Sequence, residues 1–137
     1  MRRVHLAGIV DKNSGTSWQV HPLDLALWLR VIPLAWEVAC AHRLPLTEVR
    51  PTPTPGPYNR QSQKVTGCCY TREGIIHLVL RHRNPETGEW MPAARPEADV
   101  FHTLAHELAH LEEARHSPRF YALLHTLLRD VTSRRRV

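Results

Sequence analysis

The segment His106-Glu107-Leu108-Ala109-His110, with His116 six residues later and Ser117-Pro118 directly after it, constrains the fold of this chain more than any other feature. Histidines at i and i+4 share one face only if the segment is helical, and they then stand one turn apart, close enough for both imidazoles to reach one metal ion. On an unbroken helix His116 would point well away from that face. Ser117 supplies an N-cap, and Pro118 suits the first position of a new helix. The spacing therefore predicts a helix from Pro96 to about Ala114, with Val100, Leu104, Leu108 and Leu111 along its buried stripe, and a turn at 114–116 that swings His116 back. A second helix follows through Phe120, Leu123, Leu124, Leu127 and Leu128.

Catalytic zinc takes three protein ligands and leaves its fourth position to water. His106, His110 and His116 supply three. Glu107 follows the first of them directly, which places its carboxylate beside the metal and not on it, where a general base is needed. The residue set points to zinc-dependent hydrolysis of peptide bonds, with Glu107 activating a zinc-bound water and passing the proton to the leaving amine. Zinc is preferred over iron or manganese because a three-histidine tetrahedral site with one open position suits it. The chain has ten histidines, so an accidental match is the competing explanation. The helical context, the third histidine across a turn and the strong strand before the helix outweigh it. His102 and His125 read as structural residues or as outer partners that fix a ligand ring. His77 reads as a core or cleft-wall histidine, and Glu112 and Glu113 as a solvated face or outer acceptors. The oxyanion-stabilising group stays open among Tyr58, Tyr70, Tyr121 and several arginines.

Elsewhere, Leu23, Leu27, Val31, Leu34 and Val38 recur at three- and four-residue spacing, which predicts a core helix from Pro22 to His42 that Pro33 should kink or split. Prolines at 51, 53, 55 and 57 predict an extended internal loop over 51–64, neither helix nor central strand. Val65 to Tyr70 and Ile75 to Arg83 read as two strands joined by a turn at Arg72-Glu73-Gly74, with a loop reaching from there to about Pro96.

A chain of 137 residues predicts a single domain, 1–137. The longest apolar stretch, Leu23 to Ala41, is broken by Asp24, Arg30, Pro33 and Glu37, so no membrane span is expected, and a weak N-terminal apolar run makes cytoplasmic residence the expectation. Cys40, Cys68 and Cys69 form no metal-type pair and read as reduced, mostly buried thiols. The net charge of +5, with Arg134-Arg135-Arg136 near the end, suits an anionic partner. The alternative function is accordingly a basic nucleic-acid-binding protein whose histidines hold a structural zinc closed by a fourth protein ligand. Such a site would more often use cysteine and has no need of Glu107.

The stretch from His106 to Tyr121 resembles the active-site segment of the YgjP-like and WLM-type zinc metallopeptidases, relatives of the SprT-like group, over roughly residues 97–128. The shared features are the five-residue gap between His110 and His116, then Ser117 and the pair Phe120-Tyr121. Metzincins have the same histidine spacing but carry glycine where this chain has Glu113, and a methionine turn downstream, whereas Met1 and Met91 lie upstream here. The SprT-like proteins proper have a longer gap. The resemblance implies His106, His110 and His116 as ligands, Glu107 as base, and an α+β minimal zincin: N-terminal helices, a small antiparallel-type sheet, the metal-binding helix and a C-terminal helix. It implies a protein or peptide substrate, and DNA or DNA-bound proteins as candidate partners, because some members cleave proteins crosslinked to DNA. It also implies that the strand before the metal helix, Ile75 to Leu80, pairs with an extended substrate. Residues 1–64 carry no such resemblance.

Overall fold

The structure, a computed structural model, describes residues 3–4, 9–11, 16–18, 20–52, 66–83, 87 and 89–135, the first three stretches as backbone alone. The short strands β1 (Arg3–Val4), β2 (Ile9–Asp11) and β3 (Thr16–Trp18) precede a 3-10 turn at Pro22–Asp24 and the helix α1 (Leu25–Ala41). Strands β4 (Glu48–Pro51), β5 (Gly67–Tyr70) and β6 (Ile75–Leu78) follow, then the helices α2 (Glu97–His110) and α3 (Pro118–Arg135). This is the expected α+β architecture, and no helix among the described residues is long and apolar enough to cross a membrane.

The helix α1 differs from expectation at three points. It runs unbroken through Pro33, which lies on the exposed side. Proline deprives the carbonyl four residues back of its partner, here that of Leu29, itself about half exposed, so water can take the missing bond. Leu23 does not join the buried stripe, because the α-helix begins two residues later, and its side chain is exposed. Val31, Leu34 and Val38 are buried as expected, joined by Trp28, Ile32, Ala35, Trp36 and Ala39. Cys40 falls off that phase and is exposed, and Cys68 and Cys69 are half-buried, so the thiols are reduced as expected but not mostly buried. The helix ends with Arg43 at φ 55°, while Leu44 N–H reaches Ala39 O at 2.8 Å and Arg43 N–H reaches Cys40 O at 3.2 Å. That is the left-handed ending usually given to glycine, which is why no glycine marks it in the sequence.

The main sheet has the order β1-β4-β6-β5. The β5–β6 hairpin is antiparallel, with Cys68 opposite His77 and Gly67 opposite Leu78, and Gly74 at φ +70° closes its turn. The sheet as a whole is mixed, because β4 pairs parallel with both β1 and β6. Pro51, expected to begin the loop, instead ends the central strand β4 opposite Leu78, and the bond to Leu78 O comes from Thr52 N–H, so this ladder needs no hydrogen from the proline. The proline-rich stretch from residue 53 to 65 lies outside the described residues.

Alternation along the strands turns Val49, Ile76, Leu78 and the half-buried Cys69 toward the helices, where they join Leu104, Leu108, Phe120 and Leu127 in the core. The other face carries Glu48, Arg50, Cys68, Tyr70 and His77, with Glu48 paired to Arg50 at 2.6 Å and Tyr70 edge-on to His77. A buried two-pronged ion pair, Arg81 Nε and Nη2 to the Asp24 carboxylate at 2.8 and 3.1 Å, ties the start of α1 to the chain leaving β6. Arg81 also donates to the Met91 carbonyl at 3.0 Å, which holds the connection into α2.

Candidate metal centre

The helix α2 ends where its last histidine is needed. The backbone turns at residues 111–112, and Glu113 N–H still reaches back to Ala109 O at 3.0 Å. Residues 113–116 then leave the helix axis, and the Ser117 hydroxyl accepts from Phe120 N–H at 3.2 Å, capping α3 with Pro118 in its first position. The two helices thereby meet at an angle that returns His116 to the face holding His106 and His110.

The three Nε2 atoms converge. They lie 3.2 Å apart between His110 and His106, 3.1 Å between His110 and His116, and 3.3 Å between His116 and His106. Ligands about 2.0–2.1 Å from one tetrahedral ion stand about 3.3 Å from each other, so the donor spacing fits a zinc-sized cation. Three neutral imidazoles aiming lone pairs at one point also repel unless a cation sits between them. His110 Nδ1 donates to the Glu113 carbonyl at 3.1 Å, which leaves its Nε2 as the free donor atom. The outer acceptor at Glu113 is thus its backbone, not its carboxylate. Among the described residues, no fourth histidine, cysteine, aspartate or glutamate joins this group.

Phe120 forms the floor. Its ring stacks on His110 at 4.5 Å between centroids and meets His106 and His116 at 5.0 and 4.9 Å, while being fully buried itself. The sequence suggested an aromatic here but not that one ring touches all three imidazoles. Phe120→Ala should cost about 3–5 kcal/mol in unfolding free energy, read from urea titration, and should loosen the histidine cluster at the same time.

Glu107 faces the cleft beside the cluster and is buried. Burial pushes its carboxyl up to about 7, and a bound cation would act against that shift. Burial, followed by the neighbouring imidazoles of His110, His116 and His102, pulls His106 down to about 4. Burial also lowers His110, against the bond to Glu113. Both shifts keep the donor nitrogens unprotonated at neutral pH. Opposite the helix, β5 supplies Gly67 and Cys69 as the other wall, together with Thr71, of a cleft of about 340 Å³. Burial, then Glu107 and Cys68, pushes the Cys69 thiol up to about 12, so it stays a neutral wall residue.

The remaining candidates separate clearly. His102 is exposed one turn before His106 and bears on it only through charge. His125 is exposed on α3, beside Arg129 and Ser133, away from the cluster. His77 is buried on the far face of the sheet. Tyr121 is exposed beside His116, with ring centroids 6.3 Å apart, whereas Tyr70 sits with His77 and Tyr58 lies outside the described residues. The strand Ile75–Leu78 cannot accept a substrate strand, because β4 and β5 already occupy both its edges. Among the described residues, the free edge beside the cleft is β5.

A profile of the WLM domain matches residues 46–136, from β4 through the helix α3. The chain belongs to the WLM domain family. The match extends well beyond the 97–128 stretch that carries the sequence resemblance and supports a protease of the WLM type. No curated protein sequence matches the chain significantly. Among solved structures, the crystal structure of Wss1 from Saccharomyces cerevisiae shares the fold, with a TM-score of 0.54 and 20% identity over 75% of this chain and 73% of that one. A Wss1 mutant from the same organism gives a TM-score of 0.53 and 20% identity over 78% and 82% of the two chains. The WLM fold thus places β4, β6, β5, α2 and α3 in one unit around the histidine cluster.

Proposed function

We propose that this WLM protein is a zinc-dependent metallopeptidase in which His106, His110 and His116 hold the metal and Glu107 is the general base. The observation that carries this reading is the convergence of three Nε2 atoms at 3.1–3.3 Å beside a buried carboxylate. Zinc held there would polarise the scissile carbonyl and make the attacking water more acidic. Glu107 takes the proton from that water and hands it to the leaving amine. Phe120 and the Glu113 carbonyl keep the ligand rings in place. An extended substrate pairs with the free edge of β5, which lays its backbone along the cleft.

The competing reading, a nucleic-acid-binding protein with a structural zinc, needs a fourth protein ligand. The three-donor cluster favours the enzyme instead. DNA-associated proteins are the substrate class we favour, on the net charge of +5 and on the resemblance to members that cleave proteins crosslinked to DNA.

The first test is zinc per chain in metal-scrubbed buffer for the wild type and His106→Ala. One tightly held zinc, lost in the variant, is expected, together with hydrolysis of a DNA-bound protein by the wild type. A wild type that takes up no metal under any loading condition would sink the proposal.

A further inference from the structure

Gly67 opens β5 with a φ outside the left-handed region, so conformational freedom does not explain the glycine. Space does. A Cβ there would lie 2.7 Å from Thr103 Cγ2, 3.1 Å from Glu107 Cγ and 3.2 Å from the His77 carbonyl oxygen. Thr103 and Glu107 are one turn apart on α2, so both face the edge strand. The start of β5 therefore rests directly on the stem of the proposed base. No hydrogen bond among the described residues fixes the Glu107 carboxylate, so packing sets its position.

One arginine holds that packing. Arg95 Nη2 donates to Thr103 Oγ1 at 2.8 Å, and Thr103 in turn donates to the Asp99 carbonyl at 3.0 Å. Arg95 Nη1 donates to the Val79 carbonyl at 2.7 Å and reaches that of Thr66 at 3.4 Å, while the Arg95 backbone N–H bonds Leu80 O at 2.8 Å. Thr66 Oγ1 also lies 3.4 Å from Thr103 Oγ1. The residue before β5, the chain leaving β6 and the first turns of α2 are thus joined at a single guanidinium, one turn from Glu107. A guanidinium with donors in a rigid fork suits such a junction, because it fixes direction as well as distance.

We propose that Arg95, Thr103 and Gly67 form one positioning device, which sets the gap between the substrate edge of β5 and the Glu107 side chain. They are positioning residues, since none reaches the reacting atoms, and the device rests on the hydrolytic reading above. A carboxylate displaced by a fraction of an ångström is misaligned with the water it must deprotonate, without losing the metal.

The test compares wild type, Gly67→Ala, Thr103→Ser and the double variant as zinc-loaded full-length chains. Thr103→Ser keeps the hydroxyl and its bonds and removes only the methyl group that Gly67→Ala would strike. Using a quenched peptide or denatured casein, Gly67→Ala should lower kcat about tenfold or more with KM and zinc content little changed, because misplacement acts on orientation. Adding Thr103→Ser should restore most of that loss. An unchanged kcat in Gly67→Ala, a loss confined to KM or zinc content, or no rescue by Thr103→Ser overturns the device. If the wild type hydrolyses neither these probes nor a DNA-bound protein, the peptidase reading fails separately, and urea unfolding decides the contact. Gly67→Ala should then lower the midpoint less in the Thr103→Ser background, and an equal loss in both backgrounds rejects it.

Discussion

A Glu107→Gln protein is expected to bind zinc as the wild type does and to hydrolyse its substrate about 10²- to 10⁴-fold more slowly. The substitution preserves shape and removes the one function the structure gives this side chain, accepting a proton. None of the three converging nitrogens belongs to Glu107, so metal content should not change. Its surroundings favour the amide sterically, because the stem is wedged between α2 and Gly67 and a glutamine fits the same space. Desolvation, which pushes the Glu107 carboxyl up to about 7, penalises the charged form only, so the neutral amide should leave the fold as stable as before or more so. A drop in turnover with intact stability and one zinc per chain would therefore isolate proton transfer. Full activity in this variant would refute the assigned base.

The site was legible because its signals are local. Spacing of i and i+4 places two histidines on one helix face, and a serine followed by proline starts the next helix, whatever the rest of the chain does. Both readings depend on neighbours within a few residues, and the structure shows both at His106, His110 and Ser117. What escaped depends on contacts between distant segments. Nothing in Glu48–Pro51 announces a strand lying parallel between β1 and β6, and its proline argued against one. That inserted strand is what covers the second edge of β6 and moves the free edge to β5. Likewise no local signal marks Arg95, which bonds carbonyls flanking β6 and β5, 16 and 29 residues away. Gly67 is required by space, and only the packing of α2 against β5 reveals that. Cys40, expected to be mostly buried, is exposed because the helix phase set by Val31, Ala35 and Val38 turns it outward.

His116→Ala should weaken zinc binding by more than about 100-fold, the upper end of what losing an outer partner of a ligand brings. His116 is the most exposed of the three histidines and the only one off the helix α2, so its contribution depends on the break at residues 111–116 and on the cap at Ser117. Two histidines on one helix turn can bind a divalent ion but leave two positions to water, which lowers affinity and changes geometry together. Competition against a chelator of known affinity measures the first, and the visible spectrum of a cobalt-loaded chain reports the second. His125→Ala is the matched control, since that imidazole is also exposed but sits on α3 with Arg129 and Ser133. Weakening in His116→Ala alone would show that the turn between the helices exists to deliver a ligand. Equal affinity in both variants would mean that the pair on α2 completes its site with a donor other than His116, and the convergence at 3.1–3.3 Å would then reflect packing on Phe120 rather than coordination.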